Sequence, residues 1–165
     1  MRDAGPAVRL AFRGSLTAAA ALGMAFGVAL PTTPCRAVSS GERHALWLGP
    51  DEWLLVGPNG DSAALAATLA GAVGTLPHSL VDVSHRSATL RLGGSGVMDI
   101  LNAGCALDLD PAAFPVGMCA RTLLGKAEIV LWRLAPLSFH LEASRSYVPY
   151  VIAFLRTAEV AYDRA

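Results

Sequence analysis

Hydrophobic and polar positions alternate over VRLAFR (8–13), where Val8, Leu10 and Phe12 are set against Arg9, Ala11 and Arg13. Period two predicts a strand near Val8 to Phe12 with one buried face. Gly14-Ser15 turns the chain, and Ser15 is suited to N-cap a helix. That helix is predicted near Leu16 to Ala29, with Leu22, Phe26 and Leu30 at i, i+4, i+8 as its buried stripe. Two prolines make LPTTPCRAV (30–38) an irregular, extended connection, and SSGER (39–43) is a polar turn. ALWL (45–48) and WLLV (53–56) predict a hairpin around the four-residue loop Gly49-Pro50-Asp51-Glu52. Asp61 or Ser62 caps a second helix, whose stripe Leu65, Leu69 and Val73 stops at Gly74. Leu80 to Val83 is another strand. The resulting order, β-α-β-β-α-β, is the split ferredoxin-like arrangement.

The second half partly repeats this scheme. Ala88, Leu90 and Leu92 alternate with Thr89 and Arg91 as a half-buried strand. Gly93-Gly94 turns, Ser95 caps, and a short helix carries Val97, Ile100 and Leu101 to a stop at Gly104. GCALDLDPAAFPVG (104–117) is a long connection whose apolar content predicts order. Strands follow near Cys119 to Leu124, Glu128 to Arg133 and Ser138 to Ala143. Ser146 caps the last helix, which tolerates Pro149 in its first turn and carries Val148, Ile152, Leu155 and Val160 as its apolar side. The expected fold class is therefore α+β, a ferredoxin-like first half followed by a second antiparallel α+β half. No low-complexity segment or linker divides them, so residues 1–165 are read as one domain with subdivisions at about 8–84 and 85–160.

The charge-free run LTAAAALGMAFGVAL (16–30) decides the expected compartment. Its fifteen residues fall short of the ~17–20 that a spanning helix needs. As an export signal it would have Arg2, Arg9 and Arg13 as its charged region, but Pro34-Cys35-Arg36-Ala37 offers no small-x-small cleavage pair. A strand, a cap and a striped helix are the start of a folded domain instead, and a cytoplasmic protein is expected. Gly23 and Gly27 give this helix a smooth face that suits close approach of another helix, a partner's included. Cys35, Cys105 and Cys119 are an odd count without CxxC spacing, which argues for reduced thiols over a disulfide framework or zinc site.

Composition adds one fact that matters. Charged residues are 16% of the chain and hydrophobic ones 53%, against a usual charged share of roughly a quarter. So few charges leave apolar surface that needs a partner, and Trp47, Trp53 and Trp132 are candidate anchors for one, as well as candidate core residues. Thirteen basic residues balance thirteen acidic ones, with no basic stripe to hold nucleic acid.

Candidate chemistry is sparse. His44, His78, His85 and His140 show no HxH, HExxH or i, i+4 pairing that would hold a metal. GGSG (93–96) is neither GxGxxG nor GxSxG and reads as a turn with a cap. VDVSHRS (81–87) gathers Asp82, Ser84, His85 and Arg86, but sequence neighbours rarely face one another as a catalytic set does. A capping network or local ion pair at a turn is the expected role. Arg121 and Arg133 lie on predicted strands, positioned to pair with Glu128 or to face a partner. No catalytic, cofactor-binding or metal-binding residue is assigned.

Five stretches nevertheless resemble one family, in order along residues 8–160: ALPTTPCRA (29–37), LWLGPDEWLLVGP (46–58), LVDVSHRSATLRLGG (80–94), GCALDLDPAAFPVGMCARTLLGKAEIVLWR (104–133) and HLEASRSYVPYVIAFL (140–155). They are similar to the gamma subunit of heterotetrameric sarcosine oxidase. The resemblance implies a fragment of the folate-binding aminomethyltransferase fold, partnered by alpha, beta and delta subunits. It implies a complex that oxidises sarcosine to glycine with O₂, releasing hydrogen peroxide and passing the methyl carbon to tetrahydrofolate or losing it as formaldehyde. FAD, FMN, NAD, tetrahydrofolate and zinc would belong to the complex, with the flavin and folate sites on the larger subunits. Asp82-Val83-Ser84 matches the DxS element of aminomethyltransferases, and Leu107 to Gly117 their late segment. Their hairpin ends in an acidic pair, where this chain has a tip cut to Leu124-Gly125-Lys126-Ala127-Glu128. The carboxylate expected near a folate amine is thus missing, or moved to Glu128. A non-catalytic assembly subunit is the reading this favours; a free-standing folate-binding aminomethyltransferase-like protein is the alternative.

Overall fold

The computed structural model describes residues 1–164 and divides the chain into two units. One is Pro6–His85. The other takes Met1–Gly5, with its two-residue strand β1 (Arg2–Asp3), together with the chain from Arg86 on.

In the first unit, β2 (Val8–Gly14) leads into α1 (Leu16–Phe26), followed by β3 (Ala37–Ser40), β4 (Arg43–Gly49), β5 (Glu52–Gly57), α2 (Ser62–Val73) and β6 (His78–Asp82). The sheet runs β3-β4-β5-β2-β6, antiparallel at every pairing. The expected β-α-β-β-α-β order is present, with β3 added as an edge strand. Val8, Leu10 and Phe12 enter the core as the alternation implies, with Ala45, Trp53 and Leu55 of the neighbouring strands, under Leu22 and Phe26 of α1 and Leu69 and Val73 of α2, but Arg9 on the expected open face is buried as well, so this strand does not have one buried face alone.

Both expected caps form. Ser15 accepts from the Ala18 amide at 3.2 Å, and Asp61 from that of Ala64 at 2.9 Å. The predicted end of α1 is three residues too long. Gly27 adopts φ 77° and caps the helix, because the left-handed conformation is open to glycine at no steric cost. Leu30 is buried, but from the following loop and not from a helical stripe. The β4–β5 loop also differs. Gly49 and Glu52 face each other across the ladder, so only Pro50-Asp51 lies outside the strands, and the register shifts between Trp47 and Gly49.

The second unit holds β1, β7 (Ser87–Gly93), α3 (Val97–Asn102), β8 (Cys119–Leu124), β9 (Ala127–Ala135), β10 (Ser138–Ser144), a 3-10 turn (Arg145–Tyr147) and α4 (Val148–Tyr162). Its sheet order is β1-β7-β10-β9-β8, again antiparallel. One face carries Leu90, Leu92, Leu131, Phe139 and Leu141 into a core closed by α3, α4 and the 104–117 connection through Leu109 and Phe114.

Two expected caps are not used here. The α3 cap is Gly96, where an added Cβ would sit 2.5 Å from the Tyr162 ring, and Ser95 makes no capping bond. Ser146 lies within the 3-10 turn, its hydroxyl 3.2 Å from that of Ser144, and Tyr147 takes the cap position of α4. Along α4 the buried residues are Val151 and Leu155. Val160 is exposed, since a residue five positions beyond Leu155 is turned about 140° from it.

Candidate functional site

The polar cluster at the end of β6 is a joint between elements. Asp82 accepts from the Ser62 hydroxyl at 2.5 Å through one oxygen, and from the Ser84 hydroxyl at 2.5 Å and amide at 2.8 Å through the other. Ser84 Oγ in turn accepts from the Arg9 amide on β2 at 2.9 Å. The start of α2, the end of β6 and the edge of β2 are thus tied through one carboxylate. The Ser62 hydroxyl, followed by that of Ser84, lowers the Asp82 pKa to about 2. A carboxylate held so low is a poor base at neutral pH, and among the described residues no imidazole hydrogen-bonds the Ser84 hydroxyl. The network expected from VDVSHRS is present, without His85 or Arg86 as side-chain hydrogen-bonding members.

The hairpin tip packs on α4. Gly125 turns at φ 57°, its amide bonds the Gly104 carbonyl at 2.9 Å, and the Lys126 amide donates to the Tyr150 hydroxyl at 3.1 Å. A Cβ on Gly125 would strike that hydroxyl, and one on Gly104 would strike the Phe154 ring. Tyr150 and Phe154 of α4 therefore occupy the space beneath the tip. Ala127 is in the core, and Glu128 is exposed with no hydrogen bond or ion pair among the described residues.

Arg133 corrects a sequence expectation. It neither pairs with Glu128 nor faces outward. Its side chain is 1% exposed and donates to the carbonyls of Leu109 (3.1 Å), Phe114 (2.7 Å) and Pro136 (2.7 Å), with its guanidinium over the Phe139 ring. It pins the 104–117 connection to β9. The tryptophans are not exposed anchors either. Trp53 is core, donating to the Pro31 carbonyl at 2.8 Å; Trp132 is buried against the His140 ring; Trp47 is half-buried against the first unit's core.

Sequence reasoning passed over one buried polar group. On the sheet face opposite the second core, His140 Nε2 lies 2.6 Å from Glu142 Oε1, which also accepts from Thr89 Oγ1 at 2.6 Å. All three are at most 4% exposed. The signal was there: in FHLEA (139–143) a histidine and a glutamate sit at i, i+2 between apolar neighbours, hence on one face of one strand. No cysteine among the described residues adjoins the group along its cross-strand row. Cys119 shares its cross-strand row, but Trp132 stands between them, two strand spacings or about 9–10 Å.

The outer helix layer is the unusual surface. α1 and α2 pack side by side, and neither contains a charged residue. Met24 is 81% exposed and Leu16 60%, with Ala20 of α1 and Ala63, Ala67 and Ala72 of α2 also outward. The GxxxG glycines are not part of it. Gly23 is buried where the chain folds back, a Cβ there meeting Val28 O at 3.0 Å, and Gly27 is the cap. Among the described residues no cluster of His, Cys, Asp or Glu suits a metal, no helix is long and apolar enough to cross a membrane, and no disulfide joins the cysteines.

Comparison with known proteins gives a consistent outcome. The model of the sarcosine oxidase gamma subunit family matches residues 12–161. The gamma subunit of sarcosine oxidase from Corynebacterium sp. strain P-1 is 36% identical over 137 residues, 82% of this chain and 66% of that one. The Corynebacterium sp. strain U-96 subunit is 33% identical over 150 residues, 90% and 72%. This chain thus spans about two thirds of the length of these relatives. A chain of the heterotetrameric sarcosine oxidase from Corynebacterium sp. U-96, solved in complex with pyrrole 2-carboxylate, superposes with TM-score 0.91 at 31% identity, over 99% of this chain and 85% of that one. Aminomethyltransferase T of the glycine cleavage system from Bartonella henselae shares the fold at TM-score 0.69 and 14% identity, over 93% of this chain and 44% of that one.

Proposed function

This chain belongs to the sarcosine oxidase gamma subunit family, and we propose that it serves as a structural and assembly subunit of a heterotetrameric sarcosine oxidase, with no catalytic residue of its own. The observation that carries this reading is the end-to-end likeness to a chain of such an enzyme, 99% of the present chain at TM-score 0.91. The charge-free outer layer of α1 and α2 supports it, because permanent interfaces are built from such surface. In this reading the partners are alpha, beta and delta subunits, and the assembly is cytoplasmic. It oxidatively demethylates sarcosine to glycine with O₂, giving hydrogen peroxide and methylenetetrahydrofolate or formaldehyde.

Among the described residues no His, Cys, Asp or Glu cluster suits zinc, Ala127 at the position where the resemblance implies an acid is buried, and Tyr150 and Phe154 pack under the tip. In this reading FAD, FMN, NAD, tetrahydrofolate and zinc belong to the other subunits. The test is expression of this chain alone and with the alpha, beta and delta subunits. The expected result is a poorly soluble lone chain that becomes soluble within a yellow, sarcosine-oxidising complex. A well-behaved lone monomer that binds tetrahydrofolate would overturn this in favour of a free-standing aminomethyltransferase-like protein.

A further inference from the structure

The loop from β5 to α2 carries Asn59 followed by Gly60, between Pro58 and Asp61. All four residues are exposed. The pairing of β2 with β5 ends at Gly57, and the Gly60 amide donates to no group among the described residues. The Asn59 carboxamide makes no hydrogen bond among them either. A Cβ added to Gly60 would meet only the Pro58 carbonyl oxygen, at 4.0 Å, so no neighbouring side chain crowds the peptide bond between the two residues.

An asparagine carboxamide is a weak acylating group, and the nucleophile nearest to it is the backbone nitrogen of the next residue. The attack is ordinarily slow, because the Cβ of that residue and a fixed backbone obstruct the approach. Glycine has no Cβ and the widest choice of backbone angles. An amide already engaged in a helix is held away from the reaction, whereas nothing holds that of Gly60. The chain's other asparagine, Asn102, supplies the contrast. It is also exposed, but it ends α3, it is followed by Ala103, and the Ala103 amide donates to the Asp99 carbonyl at 3.0 Å.

We propose that Asn59 is a site of spontaneous modification, converted through a cyclic imide with Gly60 into aspartate and isoaspartate. The Gly60 nitrogen gives up its proton to water as it bonds to Asn59 Cγ. The Cγ–Nδ2 bond then breaks, and Nδ2 takes a proton from water and leaves as ammonia. Water opens the imide in one of two ways. Hydrolysis at Cγ gives aspartate; hydrolysis at the backbone carbonyl carbon of residue 59 gives isoaspartate, whose main chain runs through Cβ and Cγ. Nothing is oxidised or reduced, and water is the one co-reactant. Either product brings a carboxylate, ionised at neutral pH, to a chain whose formal net charge is zero. It falls two residues before Asp61, which caps α2. The proposal does not depend on the assembly reading above.

The experiment incubates the full chain, purified natively and within its complex where one forms, in neutral buffer at growth temperature. Tryptic digests are followed by mass spectrometry against a zero-time digest. Asn59 lies in peptide 44–86 and Asn102 in peptide 92–121. Peptide 44–86 is expected to yield two products of one new mass, the first co-eluting with the peptide of an Asn59→Asp variant, while 92–121 stays unchanged. Gly60→Ala enters open space, so the fold accommodates it. It should slow conversion about tenfold or more, the ratio that a barrier higher by about 1.4 kcal/mol gives. Asn59 that stays intact in the folded chain for as long as the excised peptide takes to convert would overturn the proposal and leave the assembly reading untouched. So would conversion at the wild-type rate in Gly60→Ala, or conversion of Asn102 as fast as that of Asn59.

Discussion

Arg133→Met is the most informative single change to the fold. The guanidinium is buried and donates to three carbonyls, two of them on the 104–117 connection. Methionine keeps most of the volume and removes every donor. Leaving a buried acceptor unsatisfied costs about 1–3 kcal/mol, so three give about 3–9 kcal/mol before relaxation. Part of that is returned, because the cost of burying a cation disappears with it. The net loss should be about 3–5 kcal/mol, a large fraction of a typical 5–15 kcal/mol stability. With a urea slope of about 2 kcal/mol/M, the midpoint falls by roughly 1.5–2.5 M. Pulse proteolysis across a urea series, scored on the band of this chain, reads that midpoint alone or within a complex. Arg133→Lys, which keeps one charge but cannot span the fork, should fall between. A shift worth under about 1 kcal/mol for Arg133→Met would refute the pinning role.

Other outcomes follow from the same geometry. Gly125→Ala should cost about 1–3 kcal/mol from its positive φ and the clash with Tyr150, and part of that cost should vanish in a Tyr150→Phe background; a double-mutant cycle with no coupling would count against the contact. Asp82 is an acid whose pKa is depressed on folding, so its contribution is complete above about pH 4 and disappears as pH falls through 2. Asp82→Asn should therefore lower stability by about 1 kcal/mol at neutral pH, a figure discounted for the exposure of the site, and flatten the acid limb of stability against pH. Met24→Glu adds a charge to the outer helix layer without touching the core, so thermal melting of the first unit should be nearly unchanged while recovery of the complex falls severalfold; normal assembly would remove that layer from the interface.

Most of the scaffold was legible in the sequence because period and punctuation agreed. The strands at 8–13 and 88–92 with their apolar core positions, the caps Ser15 and Asp61, and the stop at Gly74 each correspond to an observed feature, whereas Arg9 and Thr89, on faces the alternation leaves open, are buried. β3 was not legible, because Ala37–Ser40 follows two prolines and turns into a Ser-Ser pair with only Val38 as a strong strand former. Ser95 and Ser146 have the right chemistry for caps, but tertiary contacts at Gly96 and the 3-10 turn settle those helix starts. Arg133 resisted reading for a different reason. An arginine on an alternating strand looks like an outward charge, and only the return of a loop with free carbonyls makes its burial favourable. The pairing of Arg2 with Arg91 was invisible for want of any local signal joining residues so far apart along the chain.

Because β1 adds to β7 in the second unit's sheet, the order of synthesis and the order of structure part company. Residues 6–85 are contiguous and can complete their sheet as soon as they leave the ribosome, with synthesis running at about 5–20 residues per second. Residues 1–5, made before that unit, must wait for β7, made after it, and for the β8–β10 meander and α4 behind it. A division of the gene at 85/86 would strand an edge of the second sheet on the wrong polypeptide. Any attempt to study the second unit separately has to carry residues 1–5 along with it, by permutation or by adding them back as a peptide.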